Sequence, residues 1–243
     1  MENSFFELLG IKIARCTEEE AFVRLKEKKP SRLFFANPHA IMCARKNENF
    51  LAAFQQAELV LNDGVGIDIA AWMLRQPLFP CDLKGADFIP KLLSREQGGL
   101  FLIGPSRELL EKAAPIFGKQ FPSTPLLGMC DGYTEEAETI LRVIEEAKPE
   151  ILLVTMGMPV QELFITENWP RLVRSGVRLA IGGGAVIDFI AGKIPRAPKW
   201  MRRAHIEWLY RLIREPTRLA HRYLVEAPAY IFFIIKEALH RHG

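Results

Sequence analysis

Short apolar runs recur along this chain, and nearly every one ends in a polar or glycine-rich step. Gly99-Leu100-Phe101-Leu102-Ile103-Gly104, Glu150 to Thr155 and Val177 to Ile181 are hydrophobic stretches of strand length. Ile11 to Arg15, Arg32 to Ala36, Glu58 to Leu61 and Pro125 to Met129 have the same character. Between them lie segments with apolar residues at helical spacing, such as Leu109, Leu110 and Ala113 after Ser106. A wholly apolar strand must be covered on both faces, and strands alternating with helices at the spacing of βαβ units provide that cover. The pattern predicts an α/β fold, a Rossmann-like and mostly parallel sheet with helices on both faces, over about residues 1–192.

Helix signals fill the gaps. Thr17-Glu18-Glu19-Glu20 fits a capping box. Gly85 to Arg95 and Ile67 to Leu74 are helical in pattern, and Thr134 with the acidic run after it reads as a capped helix start. After Asp188 the character changes. Ala191 to Pro198 reads as a linker, Lys199 to Arg214 as a helix rich in Trp and Arg, and Pro216 as the start of another. Pro228 is expected to break the chain before the apolar run Tyr230-Ile231-Phe232-Phe233-Ile234-Ile235. Residues 193–243 therefore form a basic helical appendage.

The chain of 243 residues, 49% hydrophobic, is one large domain or a domain with an appendage. Its N-terminus carries no basic, apolar leader, and no run approaches the ~18 apolar residues needed to span a bilayer. Cys16, Cys43, Cys81 and Cys130 are scattered and read as reduced thiols of a cytosolic protein. The net charge is +3, but from Lys193 onward there are 11 Lys and Arg against 4 Asp and Glu. A basic tail on a neutral body implies an anionic partner: phosphates, nucleic acid or a lipid surface.

Several chemistries are excluded or weakened. No G-x-x-x-x-G-K-[ST] run, no G-x-S-x-G elbow, no His/Cys group with zinc spacing and no Asp-x-Asp pair occurs. Gly64-Val65-Gly66 has Ile69 where a dinucleotide fingerprint wants its third glycine, which weakens an NAD-dependent oxidoreductase. The strand endings are more telling. Asn37, Asp63, Gly104, Asp131-Gly132-Tyr133, Gly157 to Gln161 and Gly182 to Gly184 would all fall on one edge of a parallel sheet. Ligands of open α/β sheets bind at that edge. Asp63 is either a carboxylate aimed into the crevice or the N-cap of the next helix.

Asn37-Pro38, Leu61 to Gly66, Gly85-Ala86-Asp87, Gly157 to Glu162, Gly183 to Gly192, Arg196 to Trp200, Glu207 to Leu212 and Glu215 to Leu219 occur here in fixed order. In that order and spacing they resemble the WecG/TagA/CpsF glycosyltransferase family (glycosyltransferase family 26), over about residues 5–225. The resemblance implies an inverting transferase that uses no metal and no cofactor. It implies transfer of a hexose or N-acetylhexosamine, N-acetylmannosamine first among them, from a UDP-sugar to an undecaprenyl-diphosphate-linked sugar. The products of such enzymes enter teichoic acid or other surface polysaccharides. The implied partners are the donor, the polyprenyl-diphosphate acceptor and the inner leaflet of the cytoplasmic membrane, with no nucleic acid and with homo-oligomers possible. The alternatives are a UDP-glucose-dependent transferase of exopolysaccharide synthesis and a non-catalytic nucleotide-binding scaffold.

The resemblance also assigns roles. Asp63 matches the base. Asn37, Gly104, Asp131, Gly132, Tyr133, Gly157, Gln161, Gly183 and Asp188 fall to the donor, although Asp188 reads equally as a helix cap. Lys84, Arg211, Arg218 and Arg222 fall to the acceptor and the diphosphates, the competing reading being a solvated basic face. His39 reads as a polar crevice residue, the alternative being a part in the choice of sugar. The apolar segment from Tyr230 reads either as a membrane-interface helix or as a core or oligomer contact. Two positions depart from the family pattern: Phe35 stands where Thr is common, and Asp82 where Arg is common.

Overall fold

The computed structural model describes residues 4–27, 30–198, 200–201 and 206–242. It opens with a hairpin, β1 (Phe5–Leu8) and β2 (Ile11–Ala14), paired antiparallel with Phe5 opposite Ala14. The sequence reading found only the second of these strands, because Phe5-Phe6-Glu7-Leu8 lacks a clear boundary before it. Next comes α1 (Glu18–Glu27), and its capping box is formed. The Thr17 N–H donates to Glu20 Oε2 at 2.7 Å, and the Glu20 N–H to Thr17 Oγ1 at 3.3 Å.

The main body follows as β3 (Ser31–Ala36), α2 (Pro38–Ala44), α3 (Glu48–Gln56), β4 (Leu59–Asn62) and α4 (Val65–Met73). It continues through α5 (Gly85–Arg95), β5 (Leu100–Gly104), α6 (Arg107–Gln120), β6 (Leu126–Asp131) and α7 (Ala137–Ala147). Then come β7 (Ile151–Val154), α8 (Val160–Glu167), α9 (Trp169–Arg174), β8 (Leu179–Gly182) and α10 (Val186–Ile190). Six strands form one sheet in the order β4-β3-β8-β7-β5-β6, and every pairing is parallel.

Side chains alternate across this sheet, as a strand period of two requires. Phe34, Val60, Phe101, Leu152 and Ala180 enter a core shared with α2, α3, α4, α7 and α8. Their neighbours Leu33, Leu59, Leu102, Leu153 and Leu179 enter a second core with α1, α5, α6 and α10. The sheet is thus covered on both faces, which is why its strands are apolar throughout. Strand β6 lies at the sheet edge and is the least buried of the six.

Three local expectations need correction. Thr134 does not cap a helix: α7 begins at Ala137, and Thr134 belongs to a turn whose N–H groups point at Asp131. The expected helix from Lys199 to Arg214 is interrupted; Lys199 lies outside the described residues, and α11 spans only Glu207–Arg214. Ile206 leaves helical geometry, with its N–H bonded to Met201 O at 3.0 Å, so that Glu207 turns toward Arg196. Finally, Pro228 breaks nothing. Helix α12 (Pro216–His221) runs through a π-helical turn (Arg222–Glu226) directly into α13 (Ala227–His242). The π turn carries an Ala227 N–H to Arg222 O bond, a wider ring that accommodates proline in the first turn of α13.

Helix α13 packs on α2 and α4. Tyr230, Phe233 and Ile234 are buried in the first core, while Phe232, Ile235 and Leu239 face outward. The core-contact reading therefore holds for one face of this helix. Among the described residues no helix is long and apolar enough to cross a membrane. All four cysteines are free.

Candidate active site

The C-terminal ends of β4, β3, β8 and β7 open into a crevice of about 700 Å³, ample for a drug-sized or nucleotide-sized ligand. Asp63 sits where β4 hands over to α4. Its N–H continues the ladder to Ala36 O at 2.8 Å, which fixes its backbone against β3. It is not a helix cap: Gly64 occupies that position, and no side chain caps α4. Gly64 has a φ of +90°, a conformation costly for any residue with a Cβ. A Cβ on Gly66 would lie 2.2 Å from Pro38 Cγ, so the loop can close on α2 only as glycine.

Asn37 at the end of β3 does two jobs. Its Oδ1 accepts from the Ala40 N–H at 3.0 Å, capping α2, and its Nδ2 donates to Asp63 Oδ2 at 3.2 Å. Burial is the main influence on Asp63 and raises its carboxyl above the ordinary range; the charge of Asp82 adds to this. The Asn37 hydrogen bond and the cations Arg222 and Lys84 oppose it. An aspartate with a raised pKa, facing a crevice, is poised to take up a proton.

Gln161 organises the opposite wall. It is fully buried, and its Oε1 accepts from the Gly157 N–H at 3.1 Å and the Gly184 N–H at 2.9 Å. Its Nε2 donates to Glu162 Oε1 at 2.7 Å. One amide thus holds together the loops after β7 and β8. Burial pushes the Glu162 carboxyl up to about 7.

The remaining wall comes from the other end of the chain. Arg196, Glu207, Trp208, Arg211, His221, Arg222 and Glu226 line the crevice together with Lys84. Arg196 and Arg211 both lie over the Phe189 ring, at 4.8 and 5.3 Å from its centroid. His39 Nδ1 meets Glu226 Oε2 at 2.6 Å, bridging α2 and the π turn. Burial and the neighbouring Arg222 favour the neutral imidazole, against the pull of Glu226. Tyr230 Oη donates to Gly66 O at 2.9 Å, tying α13 to the loop beside Asp63. Among the described residues no group of His, Cys, Asp and Glu is arranged to hold a metal ion.

The structure brings Asn37, His39, Asp63, Lys84, Gly157, Gln161, Gly183, Arg211 and Arg222 to the crevice. The Arg218 side chain lies outside the described residues. Gly104, Asp131, Gly132, Tyr133 and Asp188 are not part of the lining: the first four lie at the ends of β5 and β6, at the far side of the sheet, and Asp188 lies in α10. Gly104 is packed against Leu110 and Ile187. Burial would raise the Asp131 carboxyl, but hydrogen bonds from the Tyr133, Thr134 and Arg107 N–H groups hold it below the usual range. Its Oδ1 is thereby engaged within the turn and its Oδ2 at the start of α6. That turn still abuts the crevice, since Tyr133 Oη donates to the carbonyl of the lining residue Met156 at 2.5 Å. Asp188 lies within α10, not at its cap, and pairs with Lys193 at 3.4 Å.

Sequence reasoning did not name Arg196, Glu207, Trp208, His221 or Glu226 as site members, though all of them line the crevice. Arg196, Glu207 and Trp208 lie in the motif runs quoted above, and that was the available signal. Glu226 offered none, because its partner His39 is 187 positions away.

Comparisons with known proteins agree with this arrangement. A model of the Glycosyl transferase WecG/TagA/CpsF family matches residues 6–243. The chain is 28% identical over 204 residues to the N-acetylglucosaminyldiphosphoundecaprenol N-acetyl-beta-D-mannosaminyltransferase of Bacillus subtilis (strain 168), covering 83% of this chain and 77% of that protein. The protein of the same name from Bacillus spizizenii is 27% identical over 215 residues, covering 87% and 81%. That from Staphylococcus aureus (strain MW2) is 29% identical over 205 residues, covering 83% and 78%. With its carboxylate at the mouth of a parallel sheet and its basic C-terminal wall, this chain belongs to the WecG/TagA/CpsF family of glycosyltransferases.

Proposed function

We propose that this protein transfers N-acetylmannosamine from its UDP conjugate to a sugar carried on undecaprenyl diphosphate, in the synthesis of teichoic acid or a related surface polymer. One observation carries the reading. A carboxylate with a raised pKa, fixed by Asn37, faces cations supplied by the far end of the chain. Asp63 takes the proton from the acceptor hydroxyl. The acceptor oxygen then bonds to the anomeric carbon from the face opposite the leaving group, the bond from that carbon to the phosphate oxygen breaks, and UDP departs with the electron pair. The sugar configuration inverts.

UDP leaves as an anion, and positive charge must meet it. Lys84, Arg196, Arg211 and Arg222 supply that charge around the crevice, with Arg218 on the same C-terminal segment, so the reaction needs no metal. Asn37 and the Gln161-braced glycine loops, at Gly157 and at Gly183, hold the donor sugar and its phosphates. The uridine end extends toward Gly104, the Asp131-Gly132-Tyr133 turn and Asp188, beyond the enclosed part of the crevice. Residues 1–192 thus form the donor-binding domain and residues 193–243 the part that meets acceptor and membrane. Leu224, Val225, Phe232, Ile235 and Leu239 expose a run of apolar side chains on that part. A surface of this kind beside basic residues suits the headgroup region of a bilayer and supports a peripheral position on the inner leaflet of the cytoplasmic membrane.

The test is UDP release from a panel of UDP-sugars, with a short-chain lipid-diphosphate-GlcNAc acceptor and EDTA present. Acceptor-dependent release from UDP-N-acetylmannosamine is expected. Release from UDP-glucose instead would replace the sugar assignment, and silence from protein that binds UDP would overturn the acceptor assignment.

A further inference from the structure

Asp63 is held between two anchors on either side of it in the chain. Before it, the fully buried Asn62 donates from Nδ2 to Cys81 O at 3.1 Å. After it, the Gly64 N–H donates to Asp82 Oδ1 at 2.8 Å. Both anchors are adjacent residues of one loop, between α4 and α5. Gly64 is the N-cap of α4 and has no side chain to cap it, and Asp82 accepts the Gly64 N–H from 18 positions away, as the carboxylate of a capping box does from three. The other Asp82 oxygen faces Lys84 Nζ at 3.2 Å, and both side chains are largely enclosed.

We propose that Asp82 is a positioning residue for Asp63: its carboxylate fixes the Gly64 peptide beside the base and keeps a second negative charge next to it. The proposal rests on the assignment of Asp63 as base. The charged groups facing Asp63 are Asp82 and Lys84 from the loop and Arg222 from the π turn, with Asn37 as a neutral donor. Burial contributes most to raising the Asp63 carboxyl, Asp82 adds to it, and the two cations oppose it. Lys84 is therefore the partner that limits the effect of Asp82. A carboxylate kept from deprotonating too easily is the better base when it must accept a proton during turnover.

Asp82→Asn separates the two parts of this role. Its amide oxygen still accepts from Gly64, so turnover at the alkaline plateau stays within a few-fold of wild type. Its charge is gone, so Asp63 ionises more readily and the acid limb of kcat/KM moves to lower pH. Lys84→Met should move the same limb the other way, to higher pH, because it removes a cation that favours ionised Asp63. Asp82→Ala loses the hydrogen bond as well, and its plateau kcat should fall by about tenfold with donor KM little changed. An acid limb of Asp82→Asn that coincides with wild type, or shifts of the same sign in Asp82→Asn and Lys84→Met, overturns the proposal. Asp63→Asn is run alongside. If that variant is inactive and the Asp82→Asn limb is unmoved, only the role of Asp82 falls; if it turns over like wild type, the base assignment and this proposal fall together.

Discussion

Asp63 is an uncomfortable charge, and its discomfort is useful. Because its carboxyl ionises late in the folded state, the proton-accepting form grows in as pH rises through that raised value, and the rate should follow. Asp63→Asn should keep UDP affinity and lose turnover by on the order of 10²–10⁴, measured by UDP release. Glu162 offers the stability counterpart. Burial raises its carboxyl to about 7 from the ordinary value of 4.5. Both states are protonated below the unfolded value, so nothing is lost there. As pH climbs from that value through about 7, the folded state loses stability relative to the unfolded one. Glu162→Gln, which still accepts from Gln161, should therefore be the more stable protein at pH 8 by on the order of 2 kcal/mol, with melting curves converging at pH 4. At this scale the sequence was partly legible. Asn37, Asp63 and Gln161 were marked by position after a strand, but the burial that tunes Asp63 and Glu162 is not written in their neighbours along the chain. Asp82 read as a lost arginine, and only the fold shows its carboxylate accepting from the Gly64 N–H and pairing with Lys84.

The elements were the most legible level. Apolar runs bounded by glycine, proline or a capping residue located each strand of the parallel sheet, because a strand buried on both faces leaves few other ways to place its side chains. Helix α5 begins at Gly85 and ends at Arg95, as the pattern of Gly85 to Arg95 predicts. The failures came where one element's ending depends on another. Pro228 looks like a breaker from its neighbours, but the π turn before it removes the conflict. Thr134 looks like a cap, but Asp131 captures its N–H. Helix α13 is held by Tyr230, whose hydroxyl reaches the Gly66 carbonyl. Tyr230→Phe removes that bond from a carbonyl at the crevice wall, at a cost of about 1 kcal/mol. Its melting temperature should drop, and its kcat should drop further than its donor KM rises, because the loop beside Asp63 loses a support. Equal kcat in the two proteins would mean that Tyr230 serves stability alone.

Over the whole molecule, the surplus of positive charge falls on the C-terminal segment, which also exposes a run of apolar side chains. Phe232, Ile235 and Leu239 project from α13 while Tyr230, Phe233 and Ile234 on its other side are buried. Replacing the three outward residues with Ser should leave the melting temperature unchanged and weaken retention on anionic vesicles by at least about tenfold. Unchanged retention would remove α13 from the lipid contact. Composition had already placed the surplus cations after Lys193; it could not show that this segment folds back as a wall of the crevice. That return has a consequence for how the protein comes into being. Asp63 leaves the ribosome early, yet Arg211, Arg222 and the Tyr230 strut are made much later, and the crevice is lined by both. A chain halted before residue 207 would carry a folded-looking sheet and no working site. Catalytic competence is therefore acquired late in synthesis, together with the exposed apolar face of α13, so that a half-made chain does not carry an assembled site.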